Sequence, residues 1–125
     1  MNGTSFPTKD DPRRLQKWVT SDAQTPILGI LPADTYVIAV HCHVTEAFNS
    51  DGSDQITVGW DTDNDALCTA IDVSTTGVKS VTMGANHGYN STAQKVKAYY
   101  VNGGSEPTTG KAFIWVESIK CPSQP

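Results

Sequence analysis

The sequence predicts an all-β protein, an antiparallel β-sandwich of jelly-roll type with an extended N-terminal arm. Three observations support this fold class. The chain has 15 Thr and 10 Ser but only 2 Met, and β-branched residues suit a pleated surface whereas Leu and Met favour helices. No segment has a convincing helical repeat. Roughly seven or eight short alternating segments follow one another, with turn residues at intervals of about 8–12 residues.

Residues 1–25 are predicted to form the arm, and residues 26–125 the sandwich domain. Residues 1–20 hold four basic and two acidic side chains, a net charge of +2, whereas the rest holds five basic and eleven acidic ones, a net charge of −6. Two prolines and a lack of apolar periodicity indicate that residues 1–14 cannot bury themselves. The alternative is a disordered tail before a weak first strand. The arm residues predicted to bind a partner are Lys9, Arg13, Arg14, Lys17 and Trp18.

The sandwich domain is predicted to begin with an edge strand or corner between Pro26 and Pro32. The longest strand is predicted over residues 35–48, where the sequence alternates with period 2. One face of this strand is predicted to hold Tyr36, Ile38, Val40, Cys42, Val44 and Phe48.

Five more strands are predicted, at residues 55–60, 70–73, 78–83, 94–101 and 111–119. A turn is expected at residues 49–53. The last two strands flank a segment rich in Gly, Thr and Pro, and are predicted to pair as a hairpin.

Several classes of function are excluded by composition and motifs. No apolar run approaches the roughly 20 residues of a membrane helix, and the N-terminus lacks the pattern of a secretory signal. A net charge of −4 and a pI near 5.1 argue against a nucleic-acid partner. No nucleophile motif or Gly-rich phosphate loop is present, so no enzymatic activity is predicted. The three widely spaced cysteines, expected as free thiols in a reducing cytosol, are Cys42, Cys68 and Cys121.

Two groups of residues could bind a metal. His41 and His43 share one side of a strand and resemble the paired histidines of cupins, with Glu46 or His87 as a further ligand. Polar surface residues are the preferred interpretation, because Glu46 would point the opposite way. The second group, residues 61–65 with Asp72, has calcium-like spacing but lacks the glycine and glutamate of an EF-hand loop, so a turn is preferred. No metal or cofactor is predicted.

Aromatic side chains could instead stack on sugar rings, as they do in carbohydrate-binding β-sandwich modules. Two of them, Tyr99 and Tyr100, are adjacent in a strand and must face opposite ways. Trp115 is expected in the core or in a subunit interface. The aromatic residues considered are Trp60, Tyr89, Tyr99, Tyr100 and Trp115.

Several segments resemble a recurrent pattern in small virion proteins of tailed bacteriophages. A "TAF" segment followed by a turn and a "TVG" strand is matched by Glu46-Ala47-Phe48 and Thr57-Val58-Gly59, with Glu46 in place of threonine. A "PTAG" segment followed by a "VWVEY"-like last strand is matched by Pro107-Thr108-Thr109-Gly110 and Trp115-Val116-Glu117-Ser118. The resemblance extends over residues 30–119 and is carried by turns and strand patterns.

This resemblance implies a capsid decoration, or cement, protein. Such a protein is a jelly-roll-like sandwich, made in the host bacterial cytoplasm, that binds the major capsid protein on the outside of the shell and stabilises it. It is commonly a homotrimer, for which the candidate interface residues are Tyr36, Trp60 and Trp115. A head-fibre or tail-tip adaptor and a carbohydrate-binding module are the alternatives.

Overall fold

The computed structural model describes residues 15–83 and 89–121, and this part of the chain is built from eight β-strands. Three of the predicted arm residues, Lys9, Arg13 and Arg14, lie outside the described residues, and so does the candidate metal ligand His87. The strands are β1 (Leu15–Thr20), β2 (Ile27–Leu31), β3 (Thr35–Glu46), β4 (Gln55–Trp60), β5 (Asp63–Asp72), β6 (Gly77–Lys79), β7 (Gln94–Val101) and β8 (Lys111–Lys120).

The eight strands form two four-stranded antiparallel sheets. Sheet I has the order β1-β8-β3-β6, and sheet II has the order β2-β7-β4-β5. The neighbouring strands therefore include four pairs: β1 with β8, β2 with β7, β3 with β6, and β4 with β5. This is the arrangement of one long hairpin that is rolled into two layers. This strand order is that of a jelly roll, and the predicted all-β sandwich is confirmed. The predicted arm before residue 15 lies outside the described residues.

The core lies between the two sheets and is filled by alternate residues of their strands. Sheet I contributes Ala112, Ile114 and Val116 from its central strand β8, and sheet II contributes Val96 and Ala98 from β7. Successive strand residues point to opposite sides of a sheet. The residues that alternate with these core residues along β8 and β7 therefore face outward.

A β-bulge between Val37 and Ala39 changes the predicted faces of β3. Beyond the bulge, Val40, Cys42 and Val44 face the core as predicted. Before it, Val37 is buried, whereas Tyr36 and Ile38, which the period-2 pattern placed with the core residues, are exposed. The extra residue of a bulge shifts the alternation by one position, so Tyr36 and Ile38 point outward.

The predicted hairpin of the last two strands is wrong. Strand β7 lies in sheet II and β8 in sheet I, and residues 102–110 cross from one sheet to the other. The hairpin in the described chain that joins consecutive strands is β4–β5, where Trp60 is in register with Asp63. A two-residue turn is sufficient for a hairpin, whereas nine residues can cross the roughly 10 Å that separates packed sheets.

Strand β1 places part of the predicted arm inside the sandwich. It pairs with β8, with Leu15 opposite Val116 and Val19 opposite Ala112. Leu15 and Val19 are fully buried in the core. Residues 15–20, which composition assigned to the arm, are therefore part of the sandwich.

The loops at one end of the sandwich contain some of the residues that carried the phage resemblance. The Asn49 side chain accepts hydrogen bonds from the backbone N–H groups of Thr108 and Thr109, at 2.7 and 3.1 Å. Glu46 Oε1 accepts one from the Gly110 N–H at 2.9 Å. The connection after β3 and the connection before β8 are thus bound side by side, so these motif residues have a structural role.

Candidate docking surface

The outward side of sheet I carries a continuous row of rings. Trp18 on edge strand β1 is in register with Phe113 on β8, and His41 on β3 is in register with Trp115. Further along the same strands, the surface continues through apolar residues around the bulge. We call this surface the aromatic face, and it consists of Trp18, Tyr36, Ile38, His41, Phe113, Trp115 and Ile119.

The rings of the aromatic face contact one another from strand to strand. The ring centroids of Trp18 and Phe113 are 5.2 Å apart, and those of Phe113 and Trp115 are 5.5 Å apart. The His41 imidazole stacks on Trp115, with 4.6 Å between the centroids and 15° between the planes. These contacts fix the orientation of the rings, so little side-chain entropy remains to be lost when a partner binds.

Glu117 holds the His41 imidazole in place on Trp115. The Nε2 atom of His41 hydrogen-bonds Oε1 of Glu117, and both side chains are partly exposed. This hydrogen bond joins the imidazole of the row to an acidic side chain at its border.

Strand β8 is apolar on both sides, which one sandwich does not require. Its inward residues fill the core, while Phe113, Trp115 and Ile119 point outward. Antiparallel sheets with one solvated face alternate apolar and polar residues, and strands covered on both faces are apolar throughout. The pattern of β8 is therefore typical of a strand that has a second covering layer.

One end of the aromatic face is extended by a second ring pair. Tyr36 and Tyr89 lie with their ring centroids 4.9 Å apart. The Tyr89 hydroxyl donates to Asp34 at 3.0 Å, and this hydrogen bond raises the pKa of Tyr89. The Cys121 thiol lies 3.9 Å from the Tyr36 hydroxyl and raises the pKa of that tyrosine. Both phenols are neutral at physiological pH, and the Asp34 carboxyl beside them adds an acidic group to this end of the face.

The outward side of sheet II combines exposed apolar side chains, among them Ile30 and Val101, with paired charges. Lys97 Nζ lies 2.7 Å from Asp61 Oδ1, and the Tyr99 hydroxyl donates to the same carboxylate at 3.3 Å. Lys97 lowers the pKa of Asp61, and Asp61 in turn raises the pKa of Lys97. A face with paired surface charges of this kind is typical of solvent exposure.

The structure brings some of the predicted site residues together. Trp18 and Trp115 lie in the same row, joined through Phe113, and Tyr36 lies at the far end of the same face. Lys17 is exposed on β1, on the opposite side of the strand from Trp18. Trp60 is half-buried against the core beside the β4–β5 hairpin and does not belong to this face.

Sequence reasoning missed Phe113, Ile38 and Ile119 as surface residues. The signal for Phe113 and Ile119 was present in β8, whose residues are apolar at both odd and even positions. Ile38 could not be found in this way, because a bulge determines where it points.

The candidate metal ligands have other partners. His41 is bound to Glu117, and Glu46 to the backbone of Gly110. The 61–65 segment is a hairpin, with its turn at residues 61 and 62 and strand β5 starting at Asp63. Within residues 15–83 and 89–121, no three His, Cys, Asp or Glu side chains are grouped so as to hold a metal ion.

The five aromatic residues considered for sugar binding are dispersed over the molecule. Tyr100 is buried, Trp60 packs against the core, and Tyr99 lies on sheet II. Trp115 lies on sheet I, and Tyr89 lies beyond it beside Tyr36. They do not form a common platform. In the part of the chain that the structure describes, no helix is long and apolar enough to span a membrane.

Comparison with known proteins gives one structural likeness. Neither the family models nor the curated proteins include a match to this sequence. The chain is similar to a chain of the solved structure described as "Cyanophage Pam1 capsid asymmetric unit", with a TM-score of 0.63 and 14% sequence identity. The likeness covers 97% of this chain and 94% of that chain. At this identity the likeness establishes a shared fold, and the mutual coverage shows that the two chains are similar in length.

Proposed function

We propose that this chain is a bacteriophage virion structural protein without enzymatic activity, and specifically a capsid decoration or cement protein. In this proposal it binds the major capsid protein on the outside of the shell and stabilises the shell. The observation that carries the proposal is the whole-length likeness to a chain of similar size from a phage capsid asymmetric unit. It agrees with the resemblance of the turn segments, which came from the sequence alone.

The buried thiols support a structural role over a catalytic one. Burial raises the pKa of the Cys42 and Cys68 thiols to about 12. A thiol is nucleophilic as its thiolate, which is scarce at neutral pH when the pKa is this high. Two of the three cysteines are thus inert core residues, as a long-lived particle component requires.

The arm supplies the attachment in this proposal. In the sequence, residues 1–14 precede β1, the edge strand of sheet I, and Arg13 and Arg14 come directly before Leu15. Arginine forms bidentate hydrogen bonds with carboxylates, so a capsid surface with acidic groups is a suitable partner. Fully extended, fourteen residues span about 45–50 Å, enough to reach a neighbouring capsid subunit.

Deletion of residues 1–14 tests the attachment. We expect this variant to stay folded and to lose binding to capsids of the encoding virus prepared without the protein, measured by co-sedimentation. The deletion must stop before residue 15, because Leu15 and Val19 belong to the core. Truncated protein that still decorates capsids fully would show that the folded body, and not the arm, binds the shell.

A double substitution that removes two positive charges from the arm gives a finer test of the same contact. We expect Arg13→Ala/Arg14→Ala to weaken capsid binding more at low salt than at high salt, because ions screen exposed charges. The matched control is Lys95→Ala/Lys111→Ala, which removes the same charge from exposed positions of the sandwich. Equal loss with both pairs would mean that net charge alone determines binding. Full-length protein that binds tails or a polysaccharide instead of capsids would overturn the decoration role.

A further inference from the structure

We propose that the Asn102-Gly103 pair, directly after β7, is a site of self-modification. Asn102 loses its side-chain amide there by forming a cyclic imide with the backbone nitrogen of Gly103, and water then opens the imide. The reaction occurs once on the chain itself and turns over no substrate, so it is compatible with a structural protein. It concerns the isolated chain and does not rest on the proposed function.

The sequence makes Asn102 more susceptible than most asparagines. Gly103 follows it, and a glycine has no side chain to hinder the attack of its backbone nitrogen on the neighbouring carbonyl. The attack closes a five-membered ring between adjacent residues, so the chain itself keeps the nitrogen and the carbonyl close together.

The Gly103 N–H begins a line of hydrogen bonds that ends at a carboxylate. It donates to Ser50 Oγ at 3.1 Å, and the Ser50 hydroxyl donates to Oδ1 of Asp54. Both bonds point from the nitrogen toward the carboxylate, so a proton can leave Gly103 through the hydroxyl. A backbone nitrogen must lose its proton in order to attack, and a positioned base assists this step. We call Ser50 and Asp54 the proton relay.

A second backbone N–H polarises the carbonyl that is attacked. The Gly104 N–H donates to Oδ1 of Asn102 at 3.2 Å. A donor at this oxygen stabilises the negative charge that develops there as the nitrogen adds to Cγ. Asn102 is half-buried and Gly103 is exposed, so water has access to the imide.

Close packing between two loops holds Gly103 at the proton relay. A Cβ atom built on Gly103 would overlap the Asp51 carbonyl oxygen and the Ser53 nitrogen. The Asp51 N–H also donates to Ser105 Oγ at 3.0 Å. The loop after β3 and the loop after β7 are thus joined on both sides of the Gly103–Ser50 bond, which keeps the nitrogen beside its proton acceptor.

The reaction balances with water as the only other reactant. The Gly103 nitrogen bonds to Cγ of Asn102, while its proton passes to Ser50 and the Ser50 proton passes to Asp54. The Cγ–Nδ2 bond then breaks, and the side-chain nitrogen leaves as ammonia with a proton returned by the relay. Water opens the imide to aspartate or to isoaspartate, in which the main chain runs through Cγ. Either product adds one negative charge, which takes the net charge from −4 to −5.

Peptide mapping by mass spectrometry on the full-length protein tests the inference. Trypsin releases residues 98–111 as one peptide, whose only side-chain amide is that of Asn102. Conversion makes this peptide heavier by about 1 Da. We expect Asn102 to convert faster at neutral pH in the folded protein than in the same protein unfolded in guanidinium chloride, because only the fold assembles the relay.

The variant Ser50→Ala tests the relay itself. It removes the hydroxyl between Gly103 and Asp54, so conversion of Asn102 should slow by roughly tenfold, a part of the about 10²–10⁴-fold that a positioned base contributes. Ser105→Ala is the matched control, because its hydroxyl joins the same two loops but lies outside the relay. This control should leave the rate unchanged.

The opposite results would overturn the inference. Slower conversion in the folded protein than in the unfolded one, or an unchanged or faster rate in Ser50→Ala, would show that the hydrogen bonds protect Asn102. Equal slowing by Ser50→Ala and Ser105→Ala would show that loop mobility sets the rate. The other Asn-Gly pair, at Asn2 in the tryptic peptide 1–9, should be unaffected by Ser50→Ala. The comparison of folded and unfolded protein needs no variant, so it decides the question even if Ser50→Ala fails to fold.

Discussion

At the scale of single residues, Gly110 lies directly against the buried Phe48 ring. Gly110 has a φ of 143°, and a Cβ atom built on it would lie 2.3 Å from the Phe48 ring. Phe48 cannot move away easily, because it is buried and stacks on Tyr100 at 4.7 Å. We expect Gly110→Ala to destabilise the protein by about 2–3 kcal/mol in urea unfolding, from strain and overpacking together.

A second glycine separates these two causes. Gly77 also has a positive φ, 125°, but a Cβ atom there would have nothing within 4 Å. Gly77→Ala should therefore cost only the backbone strain, on the order of 1 kcal/mol. Equal losses in the two variants would show that the Phe48 ring contributes nothing to the requirement for glycine at position 110.

Three buried protonated groups make the protein sensitive to alkali. Burial raises the pKa of Cys42, Cys68 and Tyr100 to about 12 in the folded state, while in the unfolded chain the thiols ionise from about pH 8.5–9 and the phenol near pH 10. A raised pKa leaves stability unchanged below the unfolded value and lowers it as pH rises toward the folded value. We expect the melting temperature to fall from pH 9 upward, measured by thermal melts in reductant.

The variant Cys42→Ala tests this account. Each buried thiol contributes a slope of up to about 1.4 kcal/mol per pH unit between its two pKa values. Cys42→Ala should be less stable at pH 7 because of the cavity, but its stability should fall less steeply between pH 9 and 11. A slope equal to that of the wild type would show that the Cys42 thiol does not cause the loss.

At the scale of elements, β1 decides how much of the N-terminus can be removed. It contributes Leu15 and Val19 to the core and covers one edge of β8. We expect deletion of residues 1–20 to lower the melting temperature by 10 °C or more, roughly the effect of losing two buried aliphatic side chains from a small domain. Deletion of residues 1–14 should change it little. Similar melting temperatures for the two deletions would contradict the role of β1 as a core strand.

The two loops at the motif end are joined by a buried carboxylate. Asp54, only 2% exposed, accepts hydrogen bonds from the hydroxyls of Tyr100 and Ser50, and the Ser50 hydroxyl accepts one from the Gly103 N–H at 3.1 Å. We expect Asp54→Ala to destabilise the protein by about 2–4 kcal/mol, because it leaves the hydroxyls of the buried Tyr100 and the partly buried Ser50 without their acceptor.

A double-mutant cycle measures this contact directly. Tyr100→Phe removes the donor, so the combined variant should lose less than the sum of the single losses, by about 1 kcal/mol or more. Additive losses in urea unfolding would show that Asp54 and Tyr100 stabilise the loops independently.

At the scale of the whole molecule, stability should not depend on a metal ion. The carboxylates and imidazole that could bind one are held by protein groups: His41 by Glu117, Glu46 by Gly110 and Asp61 by Lys97. We expect a chelator to shift the melting temperature by less than about 1 °C. A larger drop that zinc or calcium reverses would return the predicted 41–46 or 61–72 site to consideration.

The all-β class, the position of several strands and the turn-rich connections could be predicted from the sequence. Strand β4 was placed at residues 55–60 and β7 at 94–101, as the structure has them. Period-2 alternation and turn residues determine these features, and both act over a few neighbouring residues. Trp18 and Trp115 were also identified as contact residues, because large rings in a small polar protein are conspicuous in any fold.

The partners of each strand and the outward surface were decided only by tertiary structure. The sequence cannot show that β7 and β8 lie in different sheets, because a nine-residue connection fits both a long hairpin loop and a crossing. It also cannot show the bulge that turns Ile38 outward, nor that β1 closes sheet I beside β8. Each of these depends on pairing between residues far apart in the chain. The aromatic face exists because β1, β3 and β8, which are distant in sequence, become neighbours when the two sheets close over one core.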